Sequence, residues 1–153
     1  MSPTTDRIEK QVFIKAARTR VWRALTDQTE FGQWFRVKLA DAFSPGARIT
    51  GQVLYAGYEH LPFTITVEQL VPERLFSWRW IPNAIEAGKD YSREPTTLVV
   101  FELEEAPGGT LLKVTESGFD RVPPERRETA YRGNENGWRL QMQNIERHVA
   151  STS

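Results

Sequence analysis

A chain of 153 residues has the length of one ordinary domain, and folding at that size hides roughly 70% of the surface the unfolded chain exposes, enough for one sizeable core. Lysine plus arginine number 20 and aspartate plus glutamate also 20, so no net field draws the chain to nucleic acid or to an anionic membrane. With no cysteine there is no disulfide framework, thiolate metal site or cysteine nucleophile, which fits a reducing, cytoplasmic setting.

The segment Met1 to Lys10 is polar and charged, and no apolar run approaches the ~20 residues of a membrane span. Neither an export signal nor membrane insertion is expected. Ile8, Val12 and Ile14 fall on alternate positions and predict a first strand. Val21, Trp22 and Leu25 then recur at helical spacing, and Thr29 is placed to cap a second short helix carrying Phe31, Trp34 and Phe35.

The next ninety or so residues read as a strand meander. Ser44-Pro45-Gly46, Tyr55-Ala56-Gly57, Val71-Pro72-Glu73 and Pro107-Gly108-Gly109 set turn formers between β-rich runs. Phe63, Ile65 and Val67 alternate with polar neighbours, and Val99, Phe101 and Leu103 do the same, as strands with one dry face require. Phe76, Trp78 and Trp80 share one phase of their strand and Arg79 takes the other; the pattern leaves open which phase faces inward. The polar connection from Pro82 to Pro95 is long for a hairpin and reads as a flap over the sheet edge or as a passive insertion.

Pro123 and Pro124 sit where a last helix can start, and no proline interrupts the run to Val149. Arg127, Tyr131, Asn134, Trp138, Met142, Ile145 and Val149 share one face, which should lie on the dry side of the sheet. Without repeats or linkers, residues 1–153 form a single α+β domain with an ordered core of about residues 8–149.

Short motifs sharpen this architecture. Val21-Trp22-Arg23-Ala24-Leu25-Thr26-Asp27 followed by Trp34-Phe35, together with Pro72-Glu73-Arg74-Leu75-Phe76-Ser77-Trp78, resembles the START and Bet v 1-like (SRPBCC) superfamily. Glu116-Ser117-Gly118-Phe119 and Gly137-Trp138 are similar to its bacterial branch related to the activator of the heat-shock protein 90 ATPase. The resemblance implies a helix-grip fold, in which a curved antiparallel sheet wraps around the long C-terminal helix, two short helices follow the first strand, and an apolar tunnel lies between sheet and helix. It argues for fold more than for activity.

Candidate site residues follow from phase. Arg127, Tyr131 and Asn134 are polar positions on the inward helix face, and burying unpaired polar groups costs roughly 1 to 3 kcal/mol each, so they either line a cavity or pair with neighbours. Glu116 is in phase with Leu112 and Val114, which aims its carboxylate inward. Arg127 or Tyr131 is the expected partner, making either a polar anchor for a ligand or a structural tie between helix and sheet. Trp34, Trp78, Trp80, Phe101, Phe119, Tyr131 and Trp138 are the aromatic candidates for the pocket wall, Trp34, Phe101 and Trp138 first, ordinary core being the alternative.

Other chemistry is poorly served. His60 and His148 lack carboxylates at ligand spacing, so no metal and no cofactor are expected; His148 reads as a surface or helix-end residue, and Glu125-Arg126-Arg127-Glu128 as a solvated helix start. The leading functional expectation is binding of a small hydrophobic molecule, in a stress or detoxification setting. A co-chaperone-type role with a weak protein partner is a second class, although a chain this short leaves no room for the additional N-terminal domain of the activator proteins. A cyclase, aromatase or hydrolase using Glu116 as base, Arg127 as oxyanion-stabilising cation and Tyr131 as proton donor is a third. A homodimer is compatible with all three.

Overall fold

The structure, a computed structural model, describes residues 7–59, 61–82, 91 and 93–152. His60 and much of the connection between Pro82 and Pro95 lie outside the described residues. In chain order the elements are β1 (Arg7–Ile14), α1 (Arg18–Thr26), α2 (Gln28–Phe35), β2 (Val37–Leu39), β3 (Arg48–Val53), β4 (Pro62–Val71), β5 (Leu75–Trp80), β6 (Thr97–Ala106) and β7 (Gly109–Ser117). A single 3-10 turn, Phe119–Arg121, leads into α3 (Pro124–Thr152).

The seven strands form one antiparallel, curved sheet in the order β1-β7-β6-β5-β4-β3-β2. Strands β2 to β7 are a meander of hairpins, and β1 closes the far edge by pairing with β7 from Arg7↔Ser117 to Ile14↔Thr110. Because β1 and β2 are opposite edges, the α1-α2 pair that joins them must cross the sheet. It does so on the dry face, beside α3.

Local chemistry explains the crossing. Val21, Ala24 and Leu25, at helical spacing, are the buried residues of α1. Asp27 then serves both helices: its backbone N–H donates to the Arg23 carbonyl to close α1, and its side chain accepts from the Glu30 N–H at 3.0 Å to open α2. The cap is thus Asp27 and not Thr29, because an N-cap acceptor must stand just before the first helical residue. The Trp34 indole donates to the Ala24 carbonyl at 2.7 Å and locks the two helices together. A side chain at Gly32 would put its Cβ 2.5 Å from the Val37 carbonyl oxygen, so only glycine lets α2 lie this close to β2.

Phe63, Ile65 and Val67 on β4, and Val99, Phe101 and Leu103 on β6, are buried as their alternation predicts. Phe76 and Trp78 are fully buried and Trp80 packs against the same core, which settles the inward phase of β5. A bulge between Val67 and Gln69 shifts the β4–β5 register and leaves Glu68 to pair with Arg79 at 2.7 Å. The concave face carries a continuous aromatic cluster in which Phe31, Phe35, Trp78, Phe101 and Trp138 meet at ring distances of 4.8–6.4 Å.

Along α3, Trp138, Met142, Ile145 and Val149 face the core as expected. The first turns differ. Arg126 and Ala130 are the buried positions there, whereas Arg127 is only partly covered. Successive helical residues are about 100° apart, so a one-residue error in phase replaces one arginine with the other. Arg126 is therefore not part of a solvated helix start: its guanidinium donates to the Glu94 carboxylate at 2.5 and 3.0 Å and to the Pro82 carbonyl at 2.9 Å, and lies over the Tyr91 ring. One buried cation thereby holds both ends of the connection between β5 and β6 against the start of α3.

Candidate functional site

The site grows from the last residues of β7. The strand carries Leu112 and Val114 inward, and the same phase brings Glu116 to complete burial. Gly118, with φ of 102°, then turns the chain into the 3-10 segment that delivers α3 over the sheet. Thr97, directly before Val99 in the inward phase of β6, is also fully buried.

Among the described residues, four side chains from three elements converge on the Glu116 carboxylate. Oε1 accepts from the Trp138 indole at 2.7 Å and the Asn134 amide at 3.0 Å. Oε2 accepts from the Trp80 indole at 2.8 Å, the Thr97 hydroxyl at 2.5 Å and the same Asn134 amide at 3.1 Å. Every donor is neutral. Burial pushes the carboxyl above the ordinary glutamate range; hydrogen bonds from Thr97, Trp80, Trp138 and Asn134 pull it down without cancelling that effect. The arrangement ties β5, β6 and β7 to the middle of α3 through one anion-capable group.

The expected partners of Glu116 are elsewhere. Arg127 donates to the carbonyls of Val122 at 3.2 Å and Asp120 at 2.8 Å, stitching the start of α3 to the preceding turn. The Tyr131 hydroxyl donates to the Arg7 carbonyl at 3.0 Å, and its ring packs edge-on against Phe119 at 5.3 Å. Burial and the neighbouring Glu135 raise the Tyr131 phenol, so it remains a donor at neutral pH. Glu116, Arg127 and Tyr131 therefore do not assemble as base, cation and acid.

Of the other candidate residues, Trp80, Asn134 and Trp138 meet at Glu116, and Phe101 backs the Trp138 ring at 5.6 Å. Phe119 flanks Tyr131 near β1, and Trp34 belongs to the α1-α2 contact. Thr97, Phe35 and Phe63 join the site without having been singled out by the sequence; the phase shared with Val99 was the available signal for Thr97. His148 stands near the end of α3, the helix-end alternative of its expected placement, but is largely covered there: its ring nitrogen is 2.9 Å from Glu30, which also pairs with Arg20 and Arg23.

An open groove of about 500 Å³ lies away from Glu116, between α2 and the β2 edge, lined by Gln28, Gly32, Arg36, Lys38, Leu39 and Leu54. Among the described residues no helix is long and apolar enough to cross a membrane.

A curved antiparallel sheet gripping a long C-terminal helix, with two short helices after the first strand and a polar knot between sheet and helix, defines an SRPBCC-type helix-grip domain. Within that class, the chain belongs to the family described as Activator of Hsp90 ATPase homolog 1-like protein, whose sequence profile matches residues 15–150. Among solved structures it is similar to protein MLL2253 from Mesorhizobium loti, at 24% identity and a TM-score of 0.76, over 96% of this chain and 98% of that one. It is also similar to DynU16, a protein in the dynemicin biosynthetic locus, at 22% identity and a TM-score of 0.74, covering 97% of this chain but 48% of DynU16. The Aha1 protein from Colwellia psychrerythraea, whose solution structure is a dimer, aligns at 17% identity and a TM-score of 0.68, over 94% of this chain and 95% of that one. These likenesses concern the fold. No curated protein sequence matches the chain.

Proposed function

We propose that the chain binds a small, largely apolar molecule between the sheet and the first half of α3, with the Glu116 cluster as the polar end of the site. The observation that carries this reading is a fully buried carboxyl whose partners among the described residues are all neutral, inside an aromatic interior. A fold needing only a tie between sheet and helix is served at lower desolvation cost by apolar packing of similar volume. A second polar group supports the reading. The Trp78 indole N–H is buried and has no acceptor among the described residues, a situation that costs about 1–3 kcal/mol in an otherwise apolar core. Trp80 and Asn134, two of the donors to Glu116, are partly exposed. Sequestration or sensing in a cytoplasmic stress or detoxification setting is the role such binding would serve.

Native mass spectrometry of the purified protein tests the proposal, followed by titration with aromatic and long-chain compounds while the indole N–H resonances of Trp80 and Trp138 are observed. A bound mass released on denaturation, or a ligand that shifts both resonances, is expected. Protein that carries no adduct and shows neither resonance moving contradicts the reading.

A protein-interaction role is the second reading, favoured by the family description and by the open groove beside edge strand β2, where Leu54 is 50% exposed. A bacterial heat-shock protein 90 that neither binds the chain nor changes its ATPase rate would remove it.

A further inference from the structure

The inference that follows rests on the ligand-binding reading and narrows it to a chemical class. Among the described residues no cation bonds to Glu116, and several are engaged elsewhere. Arg126 bonds Glu94 and Pro82, Arg127 the carbonyls of Asp120 and Val122, Lys10 lies 3.7 Å from Glu135, and Arg79 pairs with Glu68. The four groups that do reach the carboxylate donate hydrogen bonds but bring no positive charge. Hydrogen bonds from neutral donors satisfy the lone pairs of a carboxylate, yet a buried charge stays expensive until a counter-charge is near.

The surroundings suit such a counter-charge. Trp80 and Trp138 turn their N–H edges to Glu116, and their ring centroids lie 5.9 Å apart at a 32° tilt. Phe35 and Phe63 pack beside Trp80 at 6.4 and 6.2 Å. Aromatic faces attract organic cations, more strongly when water is excluded. Asn134 straddles the carboxylate with the longest contacts of the set, so it is the partner that yields most easily to an incoming donor. Its carbonyl oxygen takes no hydrogen bond among the described residues, and Asn134 is itself partly exposed. An incoming N–H group therefore finds two acceptors, the carboxylate and the Asn134 carbonyl. A ligand carboxylate or phosphate finds a second anion, and a neutral alcohol leaves the charge uncompensated.

We infer that the ligand is an organic cation, an amine or amidine on an aromatic or aliphatic body, whose charged nitrogen is received by Glu116 and Asn134 beside the Trp80 and Trp138 rings.

Two matched series test this at neutral pH: tryptamine, tryptophol and indoleacetate, and decylamine, decanol and decanoate. Affinity is read by calorimetry, and location by the indole N–H resonances of the isotopically labelled protein. In at least one series the amine is expected to bind about tenfold or more tighter than its alcohol, with the acid weakest, and to move the Trp80 and Trp138 resonances. In Glu116→Gln the amine should lose that advantage over the alcohol, and because the wild-type series decides the matter alone, poor folding of the variant does not rescue the idea. Alcohols or acids binding as tightly as the amines overturn the cation class and leave ligand binding standing. Amines that bind while both indole resonances stay still place the site elsewhere and also overturn it. If no member of either series binds, the ligand-binding reading falls with it.

Discussion

At one half of α3, Asn134 and Trp138 donate to Glu116; toward the other end, His148 meets Glu30. Both glutamates fasten the same helix to the rest of the fold, yet their surroundings are opposite. Glu116 is wholly buried among neutral donors, and burial holds its carboxyl above the ordinary range. Glu30 keeps 19% of its side chain exposed; burial raises its carboxyl as well, but bonds from His148 and Arg20 and the charges of Arg20 and Arg23 outweigh it, and the net shift is downward. Two carboxylates can thus do the same mechanical task, one as a desolvated acceptor and one as a shared counter-ion. The first is sensitive to which donors surround it, and the second to ionic strength.

Removing Glu116 should have the largest effect. Glu116→Leu leaves two indoles, a hydroxyl and an amide without their acceptor, each costing about 1–3 kcal/mol. A loss of about 3–5 kcal/mol in urea unfolding is expected after local relaxation, and a loss below about 1 kcal/mol would mean the cluster does not form. Glu116→Gln retains one oxygen but turns an N–H toward either Trp80 or Trp138. It should cost about 1–3 kcal/mol, nearly unchanged between low and high salt. Glu30→Gln is expected to cost about 1–2 kcal/mol at low salt and less at high salt, because Arg23 is well exposed and the cluster is open to screening. Equal salt dependence for the two glutamine variants would erase the distinction.

Their pH dependence should differ in sign. Glu116 binds its proton more readily folded than unfolded, so the advantage of wild type over Glu116→Gln is greatest below the ordinary glutamate value and declines as pH rises through the folded value. Glu30 holds its proton less readily when folded. The advantage of wild type over Glu30→Gln is complete above the ordinary value and is lost as pH falls through the lowered one. Unfolding series from mildly acid to neutral pH check both slopes. The smallest effect expected is that of Gly118→Ala, about 1 kcal/mol, since a Cβ there meets Thr96 and Thr97 at ordinary distances and the cost is that of a positive φ alone.

What could be read from sequence follows the range of the interaction. Alternation in β4, β6 and β7 reports a local contrast between a wet and a dry face, and it was enough to aim Glu116 inward; helical spacing likewise placed Asn134 and Trp138 on the core side. Which side chains reach the carboxylate depends on rotations that local pattern does not contain. The phase at the start of α3 depends on the turn after Gly118, and so Arg126 is buried where Arg127 was expected. The inward phase of β5 follows from its pairing with β6, which sets Trp78 opposite Val99 and Trp80 opposite Thr97 and which the strand's own pattern does not contain, and so the place of Trp80 beside Glu116 stayed open. The bond between Glu30 and His148 joins residues from the two ends of the chain and has no sequence periodicity to announce it.

The pairing of the two glutamates can be tested in one experiment, by following the side-chain carboxyl resonances of Glu116 and Glu30 through an acid titration of the carbon-labelled protein. A Glu116 midpoint above the ordinary value of about 4.3, with Glu30 titrating below it, is the predicted outcome. A Glu116 midpoint at or below that of Glu30 would contradict the picture of a desolvated carboxyl held only by neutral donors.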